Sequence, residues 1–214
     1  MKRALILLVA CTQSPVAPEA WQLDQDRVVA VRSTPPRLAP GEHALVDALM
    51  AHADGPTTIE IPSTMTAAHS PLFQAVNFIF DHWEVIGPDE DALAAARAEL
   101  GLAAGAPVSL DVTVIFGPLD GAHVTTHKQI WLGESAANPA LPDIQIDPIA
   151  LARDLALAAD ATDVRWLTSC GTLRASDEPN AILRIDEPCS GELAVVVRDG
   201  LGGTVWQIQP ILTP

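Results

Sequence analysis

The sequence predicts an all-β protein of the sandwich type, and three features carry that expectation. Beyond residue 150, short aliphatic runs recur between turn residues at the spacing of a β-sandwich. Earlier, two alternating runs, 108–116 and 122–132, flank Gly117-Pro118-Leu119-Asp120-Gly121, a strong hairpin signal. The composition agrees: 18 Pro and 13 Gly stand against 4 Phe and no Tyr, which suits many turns between short aliphatic elements. The 214 residues are 49% apolar, enough for one large domain or two small ones and too apolar for a disordered acidic tail. A net charge of −15 with only 12 basic residues, spread along the chain, argues against a nucleic-acid partner.

The first element is a leader. Lys2 and Arg3 precede a short apolar run that ends in Leu8-Val9-Ala10-Cys11, the pattern of a secretory signal over residues 1–10. The run is far shorter than the roughly 20 residues of a membrane-spanning helix. Its ending resembles the lipobox of bacterial lipoproteins. That resemblance implies that Cys11 becomes the acylated N-terminus and, with Thr12 instead of Asp following, that the mature protein sits at the outer membrane, facing the periplasm or the exterior. An ordinary signal peptide, cut near Ala10 or Ala17 and leaving Cys11 a free thiol, is the alternative. Cleavage would remove Lys2 and Arg3, take the charge to about −17 and leave Lys128 the sole lysine, so attachment would rest on acyl chains and not on charge. The two remaining cysteines, Cys170 and Cys189, make an even pair suited to an oxidising compartment and are expected to form a disulfide; two separate buried thiols are the alternative.

Residues 11–22 lack periodicity and read as the lipidated end and a tether. A β-rich run over residues 28–33 stops at Pro35-Pro36. Residues 42–52 fit both periods, because Ala44, Val46, Ala48 and Met50 alternate while Leu45 and Leu49 suit a helix; bounding turns favour a strand. Residues 56–75 show no clear element. Residues 77–86, aromatic and β-branched, read as one strand ended by Gly87-Pro88. Residues 89–100 are the clearest helix, with acidic residues in the first turn, an Ala-rich interior and Gly101 at the stop position. Leu93, Ala96 and Leu100 give it a narrow apolar face. After the 108–132 hairpin, residues 134–148 carry three prolines and read as a boundary. Strands are then expected at 154–160, 163–168, 181–185, 192–198 and 203–208. Parity places Val164, Trp166, Thr168 and Cys170 on one strand face and Cys189 with Leu193, Val195 and Val197, so both sulfurs can face one core.

Several phrases look familiar together. The run Asp26 to Pro36 followed by Ala39-Pro40-Gly41-Glu42 resembles the opening of secreted bacterial Ig-like modules. Val164-Arg165-Trp166 and residues 195–206 resemble the C strand and F–G hairpin of PKD-like and cadherin-like domains, as found in lipoproteins of myxobacteria and other proteobacteria. The resemblance implies two Ig-like β-sandwich domains in tandem, 23–137 and 138–214, the first with a short helical insertion.

Signals for chemistry are sparse. No nucleophile elbow, phosphate-binding glycine loop or zinc-protease helix occurs. His123 and His127 would lie roughly 13 Å apart on a strand, too far for one zinc, and read as solvent-facing. His43, His52, His69 and His82 show no ligand spacing. Cadherin-like domains bind calcium, which draws attention to Asp24, Asp26, Asp143, Asp147 and Asp199, yet none completes a calcium motif and they read as turn aspartates. Trp166 is expected in a core with Trp206 packed against it, whereas Trp131 and Trp21 are candidate exposed anchors for a partner. The expected function is that of a non-enzymatic cell-envelope lipoprotein, an interaction or scaffold module with an envelope protein partner and no cofactor. A calcium- or carbohydrate-dependent adhesion module using Trp131 is one alternative. A hydrolase with a site in residues 56–90, built on His69, Asp81 and His82, is the other.

Overall fold

The computed structural model describes residues 20–67, 70–117 and 122–213; the leader, Cys11, the greater part of the tether and His69 lie outside these residues. The fold is all-β with one short α-helix, as expected.

The first half contains β1 (Arg27–Thr34), β2 (Arg37–Leu38), β3 (His43–His52), β4 (Gly55–Glu60), β5 (Thr64–Ala67), a 3₁₀ turn (Ser70–Ala75), β6 (Val76–Ile79), β7 (His82–Ile86), α1 (Glu90–Leu100), β8 (Val108–Phe116) and β9 (Val124–Leu132). One sheet runs β1-β3-β7-β6, with β4 also pairing β3; the other runs β2-β9-β8-β5. They enclose an aliphatic core that includes Val46, Met65, Val85, Leu110, Val112, Phe116 and Ile130. The expected single strand over 77–86 is instead the hairpin β6–β7. Phe80, at φ 57°, makes the reversal without glycine. Residues 56–75, which show no periodicity, hold β4 and β5. Most of β4 is solvent-exposed, so burial never imposed alternation on its sequence.

Helix α1 follows its caps. Asp89 accepts from the Ala92 amide at 2.8 Å, and Gly101 closes the helix at φ 65°, where a side chain would be strained. Leu93 and Ala96 are buried, but Leu100 is exposed. The third buried position belongs to Arg97, whose stem crosses the core edge while its guanidinium bonds Ala106 O and Glu90.

The second half contains β10 (Ile144–Ile146), β11 (Asp154–Ala159), β12 (Asp163–Thr168), β13 (Thr172–Arg174), β14 (Asn180–Arg184), β15 (Ser190–Arg198) and β16 (Thr204–Leu212). Sheets β10-β11-β14-β13 and β12-β15-β16 cover a core centred on buried Trp166, whose indole N–H donates to Glu178 O at 3.1 Å. The proline-rich stretch 134–148 is not wholly irregular, because β10 pairs with β11 there. Cys170 and Cys189 form a disulfide with Cα atoms 5.8 Å apart, on the expected core side.

A third, smaller apolar cluster joins the halves face to face. It unites Ala30, Leu49 and Ala51 of the β1–β3 sheet with Leu167, Ala194, Val196 and Trp206 of the β12–β15–β16 sheet, and Leu23 with them. Trp206 therefore does not pack with Trp166. Register explains the difference: Trp166 opposes Val195, whereas Trp206 opposes Val196, on the other face of β15. Trp206 instead lies beneath Arg32, whose guanidinium carbon is 4.1 Å from the ring centroid and which also pairs with Asp47. The seam also resolves the double periodicity of β3. Even-numbered residues 44–50 face the first core, while outward-facing Leu49 and Ala51 are buried by the second half and Leu45 is not. The chain reaches β1 by way of the second half: Leu23 N bonds Thr168 O at 3.0 Å and Thr168 N bonds Trp21 O at 2.9 Å.

Candidate functional site

A cleft of about 250 Å³ opens where the halves meet, bounded by residues 28–31 of β1, 126–129 of β9 and 198–204 around the β15–β16 turn. β1 ends its sheet and carries a bulge between Val28 and Ala30, so this wall is an irregular aliphatic sheet edge. The opposite wall is held in place by the turn. Asp199 Oδ1 accepts from the Leu201 and Gly203 amides at 2.8 and 2.7 Å, folding the turn onto β9. Gly202, at φ 90°, is required there: a Cβ would lie 3.3 Å from both Gln129 O and Trp131 Cδ1. Asn138 ties the same corner together, donating to Ser33 O and accepting from Thr204 N, each at 2.8 Å.

Lys128 forms the floor. Alternation along β9 puts it on the face of Ile130 and Leu132, and the turn closes over it, leaving 8% of its surface exposed. Its Nζ donates to Gly202 O at 2.6 Å and Thr204 Oγ1 at 3.3 Å, both neutral acceptors. Burial, reinforced by Arg198, lowers its pKa from 10.5 to about 8, against smaller opposing effects of Asp199 and Asp47. Arg198, also on the cleft wall, is pushed down by burial, which Asp163 opposes and the smaller effect of Arg165 reinforces. Arg27 is pushed down by burial and again by Arg165, with Asp24 opposing. Lys128, Arg198, Arg165 and Arg27 thus form a row of cations along the junction, each in the field of the next. The Nε atoms of Arg27 and Arg165 are buried without a hydrogen-bond partner.

The residues singled out from sequence are scattered around this site. Trp131 is half-buried beneath Gly202; with Arg37, Pro107, Glu134 and Leu201 it lines a small pocket of about 90 Å³, its indole Nε1 enclosed and unpartnered. Trp21 packs on the edge of the second core. His123 and His127 are exposed, the latter 3.3 Å from Thr113 Oγ1 and at the cleft rim. The aspartates named for calcium do not converge. Asp26 accepts from Ala53 N, Asp147 from Ala156 N and Asp199 from its own turn. Among the described residues no three His, Cys, Asp or Glu side chains are placed to hold a metal ion. Asp81 and His82 bond each other at 3.0 Å on the exposed β6–β7 turn. Lys128 was singled out in the sequence only as a lone lysine. Its site role is signalled by the parity of β9, but the turn that buries it lies 74 residues away.

A second surface continues the seam outward. Leu45 and Ile59 lie on the seam face of the β3–β4 pair at 55% and 58% exposure, and Ile61, just past β4, is 62% exposed. No family model matches this chain, and no curated protein matches it.

Proposed function

We propose that the protein is a non-enzymatic interaction module of the bacterial cell envelope, carried on an acylated Cys11 and docking a protein partner on the apolar face beside the seam. In this reading the two cores are two Ig-like sandwich domains, meeting near residue 138 and held as one unit by the seam. The observation that carries the reading is that Leu45 and Ile59 stay exposed on the seam face of the β3–β4 pair, with Ile61 exposed just beyond β4, beside the buried Leu49 and Ala51 where a sheet interface already begins. Such grouping marks interaction surfaces, whereas single exposed apolar residues do not. The Cys170–Cys189 bridge supports an oxidising compartment.

Site-specific photo-crosslinking in intact envelopes tests the reading. A crosslinker at position 59 should yield one discrete adduct with an envelope protein, and Leu45→Glu should abolish it. A crosslinker at Asp91, on exposed α1, should yield none. Equal labelling from both positions, or none from position 59, refutes it. Mass spectrometry of the mature N-terminus tests the anchor: the expected species begins at Cys11 and carries acyl chains.

A further inference from the structure

We propose that the junction cleft binds a small organic carboxylate, its oxyanion seated between Lys128 and Arg198 and its aliphatic part lying along residues 28–31. This goes beyond partner docking and stands on other residues, in another part of the junction.

The charge arrangement comes first. Acidic residues outnumber basic ones 27 to 12 in this chain, so a cation has carboxylates to choose from. Five arginines elsewhere use them: Arg32, Arg37, Arg97, Arg174 and Arg184 each pair with an Asp or Glu, while Arg153 is exposed to solvent. At the junction the pattern inverts. Lys128 bonds only neutral oxygens, and the nearest carboxylate in its turn, Asp199, directs Oδ1 to two backbone amides. Neither Arg198 nor Arg165 has a salt bridge among the described residues, and Arg165 Nε is buried unpartnered. Burying cations beside one another costs free energy, and the nearby acids offset only part of it: Asp163, opposite Arg198 on β12, and Asp199 and Asp47 near Lys128 act through space, and none of them forms a salt bridge with either cation. An anion entering the cleft would relieve it. Cations buried together in a cleft are candidate binding positions for an anion.

Shape and lining narrow the class. A volume of about 250 Å³ lies just below the range of about 300–1,000 Å³ typical for drug-sized ligands, which suits a small molecule and not a polymer. The wall at residues 28–31 is Val-Val-Ala-Val; Ala30 and Val31 are buried in the seam and the first core, and the partly exposed Val28 and Val29 offer the cleft apolar contact and no charge. Inorganic phosphate or acetate would satisfy the cations and leave that wall uncovered. A carboxylate with a short aliphatic body satisfies both.

Hexanoate, acetate and inorganic phosphate are the probes, titrated into the full-length chain by calorimetry at pH 7 with sodium chloride holding ionic strength constant. Hexanoate should bind at least tenfold more tightly than acetate or phosphate. Lys128→Met and Arg198→Gln should each weaken it tenfold or more, while Arg174→Gln, on the distant β13, should leave it unchanged. Because substitutions at a buried site can disturb folding, the wild-type protein provides a second readout. With isotopically labelled lysine, the Lys128 Cε resonance should shift on adding hexanoate and its titration midpoint should rise, since a bound anion favours the ammonium. Absence of hexanoate binding, equal affinity for phosphate, or a Lys128 resonance indifferent to hexanoate overturns the proposal.

Discussion

Lys128 should make this protein more stable as the solution becomes alkaline. Its pKa is about 8 in the folded chain against 10.5 for an ordinary lysine. Below pH 8 both states hold the proton, and the folded state bears the full penalty of enclosing an ammonium. Between the two values the unfolded chain binds more protons than the folded one, so unfolding free energy rises with pH. At about 1.4 kcal/mol per pH unit the full gain is about 3 kcal/mol, of which about 2.5 kcal/mol falls between pH 7 and pH 10. The side chain is 8% exposed, so solvent screening removes little of it. The background is quiet because the chain has no tyrosine and one other lysine, Lys2. Urea unfolding at pH 7, 8, 9 and 10, followed by tryptophan fluorescence, reads the slope directly. In Lys128→Met the slope should vanish whatever happens to the baseline, which also reflects the lost bonds to Gly202 and Thr204. A flat or falling wild-type profile, or a rise that survives Lys128→Met, would refute the assignment.

Three further outcomes are expected. Replacing Cys170 and Cys189 together by serine should cost about 3 kcal/mol by releasing a loop with a sequence separation of 19, measured as a lower urea midpoint; an unchanged midpoint would count against the bridge. Asp89→Ala should cost about 1 kcal/mol through the lost N-cap bond to Ala92, visible by the same titration and absent in Asp91→Ala. Ala194→Glu, which forces a charge into the fully buried seam, should split a single calorimetric transition into two as the halves uncouple. One cooperative transition in that variant would show that the seam does not couple them.

Elements defined by local chemistry were legible from residues alone. The helix is written in Asp89 and Gly101, and the 108–132 hairpin in its alternation. The disulfide followed from the even pair of cysteines, with strand parity allowing both sulfurs to face one core. Elements without such marks were not. The β6–β7 turn runs through Phe80 and Asp81 with no glycine, so two strands looked like one. β4 is mostly exposed and had no reason to alternate. The placement of Trp206 needed the register of β15 with β16, since a shift of one residue moves a side chain to the other face. The cleft was the least legible feature. Its walls come from residues 28–31, 126–129 and 198–204, and only the packing of one half on the other brings them together.

The path by which the chain enters β1 has a mechanical consequence. Strain applied at residue 20 does not peel β1 from its sheet first. It is taken up in shear by the two backbone hydrogen bonds at Thr168, with Arg27 reinforcing them through the carbonyls of Ala20 and Gln22. Two residues further on, Cys170 is covalently fastened to Cys189, whose backbone is hydrogen-bonded to Thr213 just beyond β16. A pull applied at residue 20 is therefore resisted by the second half before it reaches the rest of β1.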